Sequence, residues 1–73
     1  MSRVVSGKEL LKFLSKKGFS IYSVKGSHFK LTNHERHAKT IVAMHKEIPK
    51  GTLNAIIRQA KLTDEEIREL IES

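Results

Sequence analysis

The chain has 73 residues, no cysteine, and 14 Lys and Arg against 8 Asp and Glu, for a net charge of +6. That length allows one small domain, residues 1–73, whose core is marginal because surface dominates volume, and the lack of cysteine excludes disulfides and thiolate metal sites. No apolar run approaches the roughly 18 residues of a membrane span, and "MSRVVSGKEL" lacks the apolar stretch of a signal peptide, so a soluble, cytoplasmic protein with no membrane partner is expected.

The first element opens on "SGKE". Ser6 can cap the first free amides while Glu9 reaches back to the Ser6 amide, which makes a capping box. Leu10, Leu11 and Leu14 follow at helical spacing with Phe13 beside them. Lys16 and Lys17 suit the negative end of the helix dipole, and Gly18 suits the left-handed residue that ends a helix. The pattern predicts a helix over about residues 7–17. In "FSIYSVKG", Phe19 and Ile21 alternate with Ser20 and Tyr22, a period near two that predicts a first strand. Gly26 and Ser27 make a turn. "HFKLTN" predicts a second strand, with Phe29 and Leu31 on one face and His28, Lys30 and Thr32 on the other. "HERHA" reads as a hairpin loop and "KTIVAM" as a third strand ending near His45. Short links between the three favour an antiparallel meander.

"HKEIPKGT" interrupts the pattern at Pro49 and Gly51. Pro49 suits a helix start, where its missing N–H costs nothing. Leu53, Ile56, Ile57 and Ala60 then fall at i, i+3, i+4 and i+7 of a second helix. Thr63 and Glu66 form another capping box, for a short third helix carrying Ile67, Leu70 and Ile71. The order α-β-β-β-α with a short C-terminal helix predicts an α+β two-layer sandwich, with the helices on one face of a three-stranded antiparallel sheet. Strand alternation then puts His28, Lys30 and Thr32 together on the open face.

The charge is uneven. Five of the acids lie in the last ten residues, so residues 1–63 carry 13 bases against 3 acids, a net +10. An excess of that size in so small a domain favours a polyanion partner. His34, His37 and Glu35 sit too sparsely for three or four converging metal ligands, and they read as a polar exposed loop; neither a metal nor a cofactor is expected. His28 has a different context. It follows a Gly-Ser turn that lets backbone approach a ligand, and Lys25 and Lys30 on either side would attract phosphate. Imidazole can take or give a proton near neutral pH, which cleavage of an RNA phosphodiester requires. The 2′-hydroxyl is a built-in nucleophile, cations offset the charge gathered on phosphorus, and no metal is needed. DNA lacks that hydroxyl. His45 could lie near His28 in a simple meander and serve as a second proton-transfer or orienting group. Lys50, at the start of the second helix, is a further candidate phosphate contact, because anions bind well at helix starts.

The segments "SGKELLKFLSKKGF", "KGSHFKL", "TIVAMH" and "KGTLNAIIRQAKLTDEEI" together resemble the HicA toxin family, the mRNA interferases of HicA–HicB toxin–antitoxin pairs. The resemblance covers about residues 6–70. It implies a double-stranded-RNA-binding-like fold and an endoribonuclease that cuts mRNA. It implies that His28 is catalytic, that Gly26 and Ser27 form the turn presenting it, and that Lys25 contacts phosphate. It also implies a HicB-type antitoxin that masks the active surface. Two positions depart from the family pattern. Phe29 stands where many members have a second histidine, and residues 42–45 keep the Val and His of a Val-Pro-x-His pattern without the Pro. Two other readings compete: a non-catalytic RNA-binding module, or inactive family member, that keeps the fold and charge, and a protein-interaction domain that docks an acidic partner. Weak self-association is left open.

Overall fold

The computed structural model describes residues 3–72. Three helices and three strands follow one another in the order α1 (Gly7–Lys16), β1 (Ser20–Lys25), β2 (His28–Asn33), β3 (Ala38–Ala43), α2 (Lys50–Gln59) and α3 (Asp64–Glu72). The strands form one antiparallel sheet in the order β1-β2-β3, and the helices pack on one side of it. The architecture is the α+β layout expected from the sequence. No helix among the described residues is long and apolar enough to cross a membrane.

The local signals act as their chemistry requires. The Glu9 amide donates to Ser6 Oγ at 3.0 Å and the Ser6 amide donates to Glu9 Oε1 at 3.0 Å, closing the capping box of α1. A cap of this kind is worth about 1 kcal/mol. Thr63 and Glu66 close the same box on α3, at 3.0 and 3.1 Å. Pro49 is the N-cap of α2 and makes no side-chain capping bond.

Leu10 and Leu14 of α1, Leu53 and Ile56 of α2 and Leu70 of α3 are buried with Leu31 of β2 and Ala38 and Val42 of β3. Val5, Phe19, Ile48 and Ala60 complete this core from outside the regular elements. The start of α1 and the segment before it are held by two backbone bonds, Gly7 N–H to the His45 carbonyl and Ile48 N–H to the Val5 carbonyl, each 2.8 Å. Asn33 is buried and uses both ends of its amide: Nδ2 donates to the Lys17 carbonyl at 3.1 Å and Oδ1 accepts the Arg36 amide at 3.1 Å. One side chain thus ties the end of α1 to the β2–β3 hairpin.

Two strand details differ from the sequence reading. β3 runs from Ala38 to Ala43, one residue earlier than "KTIVAM", because the ladder to β2 begins at the Asn33–Ala38 pair and ends at His28–Ala43. In β1 the even alternation fails. Phe19 is buried just before the strand, but Ile21 and Val24 are 44% and 53% exposed, and the register shifts between Ile21 and Ser23. Ile21 pairs with Leu31 and Val24 with Phe29, so both stand on the helix side of the sheet, at an edge the helices leave uncovered.

Candidate active site

Lys25 and His28 pair directly across a two-residue turn, and His28 pairs in turn with Ala43. Gly26 has φ of 61°, while Ser27 stays in the ordinary negative range. Positive φ at the first central residue alone is the II′ hairpin turn, whose twist matches the strands it joins and which calls for glycine at that place. The Met44 amide donates to the Ser27 carbonyl at 2.9 Å, stitching the end of β3 to the turn. His28 is therefore held at the tip of a braced hairpin.

The ladder sets out the open face in rows. Lys25, His28 and Ala43 form the first, Ser23, Lys30 and Ile41 the second, and Ser20, Thr32 and Lys39 the third. Neighbours in such a row have Cβ atoms about 4.5–5.5 Å apart. The three strands contain three lysines and a histidine but no aspartate or glutamate. His28 and Lys25 are exposed, Lys30 is half-buried, and none of the three has a side-chain hydrogen bond or ion pair with any described residue. In contrast, Glu9, Glu66 and Glu69, all on helices, are paired with Arg3, Arg36 and Lys17. The open face is thus an uncompensated cationic surface with an imidazole at one end.

Two other expected site residues stand outside the strand rows. β3 ends at Ala43, and the His45 amide turns back to the Ala43 carbonyl at 2.9 Å, which takes the chain off the sheet. His45 lines a shallow hollow with Ser6, Lys8, Met44 and Lys46, and His28 is not part of that lining. The expectation that His45 ends the third strand is corrected by this reversal. Lys50 is the exposed first residue of α2, in the helix layer and not in the strand rows. Phe29 pairs with Val42 and packs against the core, so the position after His28 faces away from it. His34 and His37 lie in the exposed 34–37 loop, and no group of three or more His, Asp or Glu gathers as metal ligands among the described residues.

The register also brings in residues that the sequence pattern did not single out. Lys39 joins the open face, and its Nζ lies 5.8 Å from the centre of the Tyr22 ring. No spacing rule within one strand reports this, because it depends on pairing across two. A family model described as the HicA toxin of bacterial toxin-antitoxin matches residues 7–62. No curated protein matches the chain.

Proposed function

Because the chain belongs to the HicA toxin family, the toxin half of a toxin–antitoxin pair, we propose that it is a metal-independent endoribonuclease that cleaves mRNA at the His28 end of its open sheet face. One observation carries the reading: His28, exposed and without a side-chain partner among the described residues, stands beside Lys25 at a braced turn on a face free of acids. A phosphodiester drawn to Lys25 and Lys30 would rest against the imidazole. The 2′-oxygen attacks phosphorus as it loses its proton, the bond from phosphorus to the 5′-oxygen breaks, and that oxygen takes up a proton. His28 serves one of these transfers as general acid or base. The two ammonium groups offset the negative charge that grows on the phosphoryl oxygens. Gly26 and Ser27 keep the approach open, since a Cβ added at Gly26 would meet nothing within 4 Å.

The product of this route ends in a 2′,3′-cyclic phosphate, and a 2′-deoxy nucleotide at the scissile position blocks it. Those two outcomes test the chemistry with the purified chain. Products ending in a 3′-hydroxyl would refute it. The site acts in the cytoplasm, where mRNA is met, and its antitoxin is of the HicB type and silences it by covering this face.

A second reading is favoured by one specific feature. The row of His28 holds no second histidine, since Phe29 faces the core and His45 lies beyond the strand. A family member that keeps the cationic face but lacks an efficient proton relay would bind RNA, or only its antitoxin, without cutting. Undiminished RNA binding with no cleavage at any pH would select that reading.

A further inference from the structure

The only tyrosine of the chain stands on the same sheet as His28, beside the third row of the open face. Between the Ile21–Leu31 and Ser23–Lys30 pairs, β1 carries one residue more than β2, and that residue is Tyr22. A bulge removes a residue from the ladder and re-aims its side chain. Tyr22 is 54% exposed, and its hydroxyl has no partner among the described residues. It lines a hollow of about 220 Å³ with Thr32, His34 and Lys39. Thr32 pairs with Lys39 on the open face, so the lysine reaches over it toward the tyrosine ring. Burial would recover the free energy of so large an apolar surface, yet neither the core nor a hydrogen bond uses it.

We propose that Tyr22 and Lys39 form a second RNA subsite, in which an unpaired base stacks on the tyrosine ring and the adjoining phosphate meets the ammonium group. This rests on reading the His28 end of the face as the place of cleavage. Thr32 is four residues along β2 from His28, a distance of about 13 Å, which an extended strand covers in a few nucleotides. Stacking on an aromatic ring accepts any base, because every base has a π-face. A duplex keeps those faces inside its own stack. The subsite therefore selects single-stranded RNA beside the cut, and Tyr22 acts as a positioning residue.

Tyr22 is also its own reporter, since the chain has one tyrosine and no tryptophan. The probe is a short single-stranded 2′-O-methyl oligoribonucleotide, which binds but lacks the nucleophile. At low salt its titration into the intact protein should quench the tyrosine emission, and a fully paired hairpin of the same composition should not. Tyr22→Ala should weaken binding of a dye-labelled copy of the probe roughly 5- to 100-fold, while Tyr22→Trp retains it. The exposure of Tyr22 lets these variants keep the fold, which far-UV circular dichroism checks. Unchanged tyrosine emission during measurable binding, with equal affinity for Tyr22→Ala, would overturn the subsite and leave the cleavage reading standing. Absence of any RNA binding by the unaltered protein would overturn both.

Discussion

Gly7 sits where no side chain fits. A Cβ built on it would lie 2.1 Å from the Ala43 carbonyl oxygen and 2.9 Å from the Met44 Cα, because the Gly7–His45 hydrogen bond draws the start of α1 against the end of β3. Both obstacles are backbone, so Gly7→Ala must displace the helix or the strand. We expect it to destabilise the protein by about 1–3 kcal/mol, read as a lower urea midpoint with an unchanged m-value. Lys25 and Lys30 carry a different prediction. Replacing either with Ala should weaken binding of any single-stranded RNA and lower the salt slope by about one. Lys12→Ala, in the groove between α1 and α3, should leave both unchanged. Part of this site could be read from strand period alone, which groups His28, Lys30 and Thr32. Tyr22 and Lys39 join them through a bulge and a cross-sheet register, and a single strand's pattern contains neither. The strand end before His45 was hidden for a related reason: the His45 amide bonds back to the Ala43 carbonyl while its own carbonyl accepts the Gly7 amide, which strand alternation does not report.

At the scale of elements, α3 is held to the β2–β3 loop by charge, while Leu70 anchors it in the core. Arg36 grips Glu66 with two bonds, Nη1 to Oε1 at 2.7 Å and Nη2 to Oε2 at 2.5 Å. Arg36 also donates to the Lys61 carbonyl at 3.3 Å and lies 5.9 Å from the centre of the Phe19 ring. The hydrogen bonds from Arg36, more than the Thr63 amide, hold the Glu66 carboxyl down at about 2, against the opposing effect of burial. A carboxyl whose folded value lies below its unfolded value stabilises the fold above the unfolded value and loses that contribution as pH falls. The window here runs from about 4.5 down to about 2. Glu66→Gln should therefore cost about 1–3 kcal/mol at neutral pH, allowing for partial solvent screening. It should also flatten the acid dependence of stability in that window; an unchanged acid titration of stability would refute this role. Capping boxes made α1 and α3 legible and Pro49 with the apolar spacing of Leu53, Ile56, Ile57 and Ala60 made α2 so, since these signals are local in the chain. β1 was less legible because its alternation assumes both helices cover it, and they leave Ile21 and Val24 exposed at the edge.

For the whole molecule, bases occur in both layers but the strands carry no acid. The helices pair three of their acids with Arg3, Lys17 and Arg36, while the strand lysines have no acid partner among the described residues. If Lys25, Lys30 and Lys39 each neutralise a phosphate, the affinity for single-stranded RNA should fall with salt with a log–log slope of about −2. A slope near zero would instead favour a surface built for protein alone. The central claim is that His28 moves a proton in RNA cleavage without a metal. The most direct measurement is cleavage of a single-stranded RNA by the purified protein in excess chelator, beside a His28→Ala variant shown to keep its fold and its RNA affinity. The account predicts chelator-resistant cleavage that disappears in the variant while binding persists. Equal cleavage by both proteins, or none by the unaltered protein when RNA is bound, would contradict it.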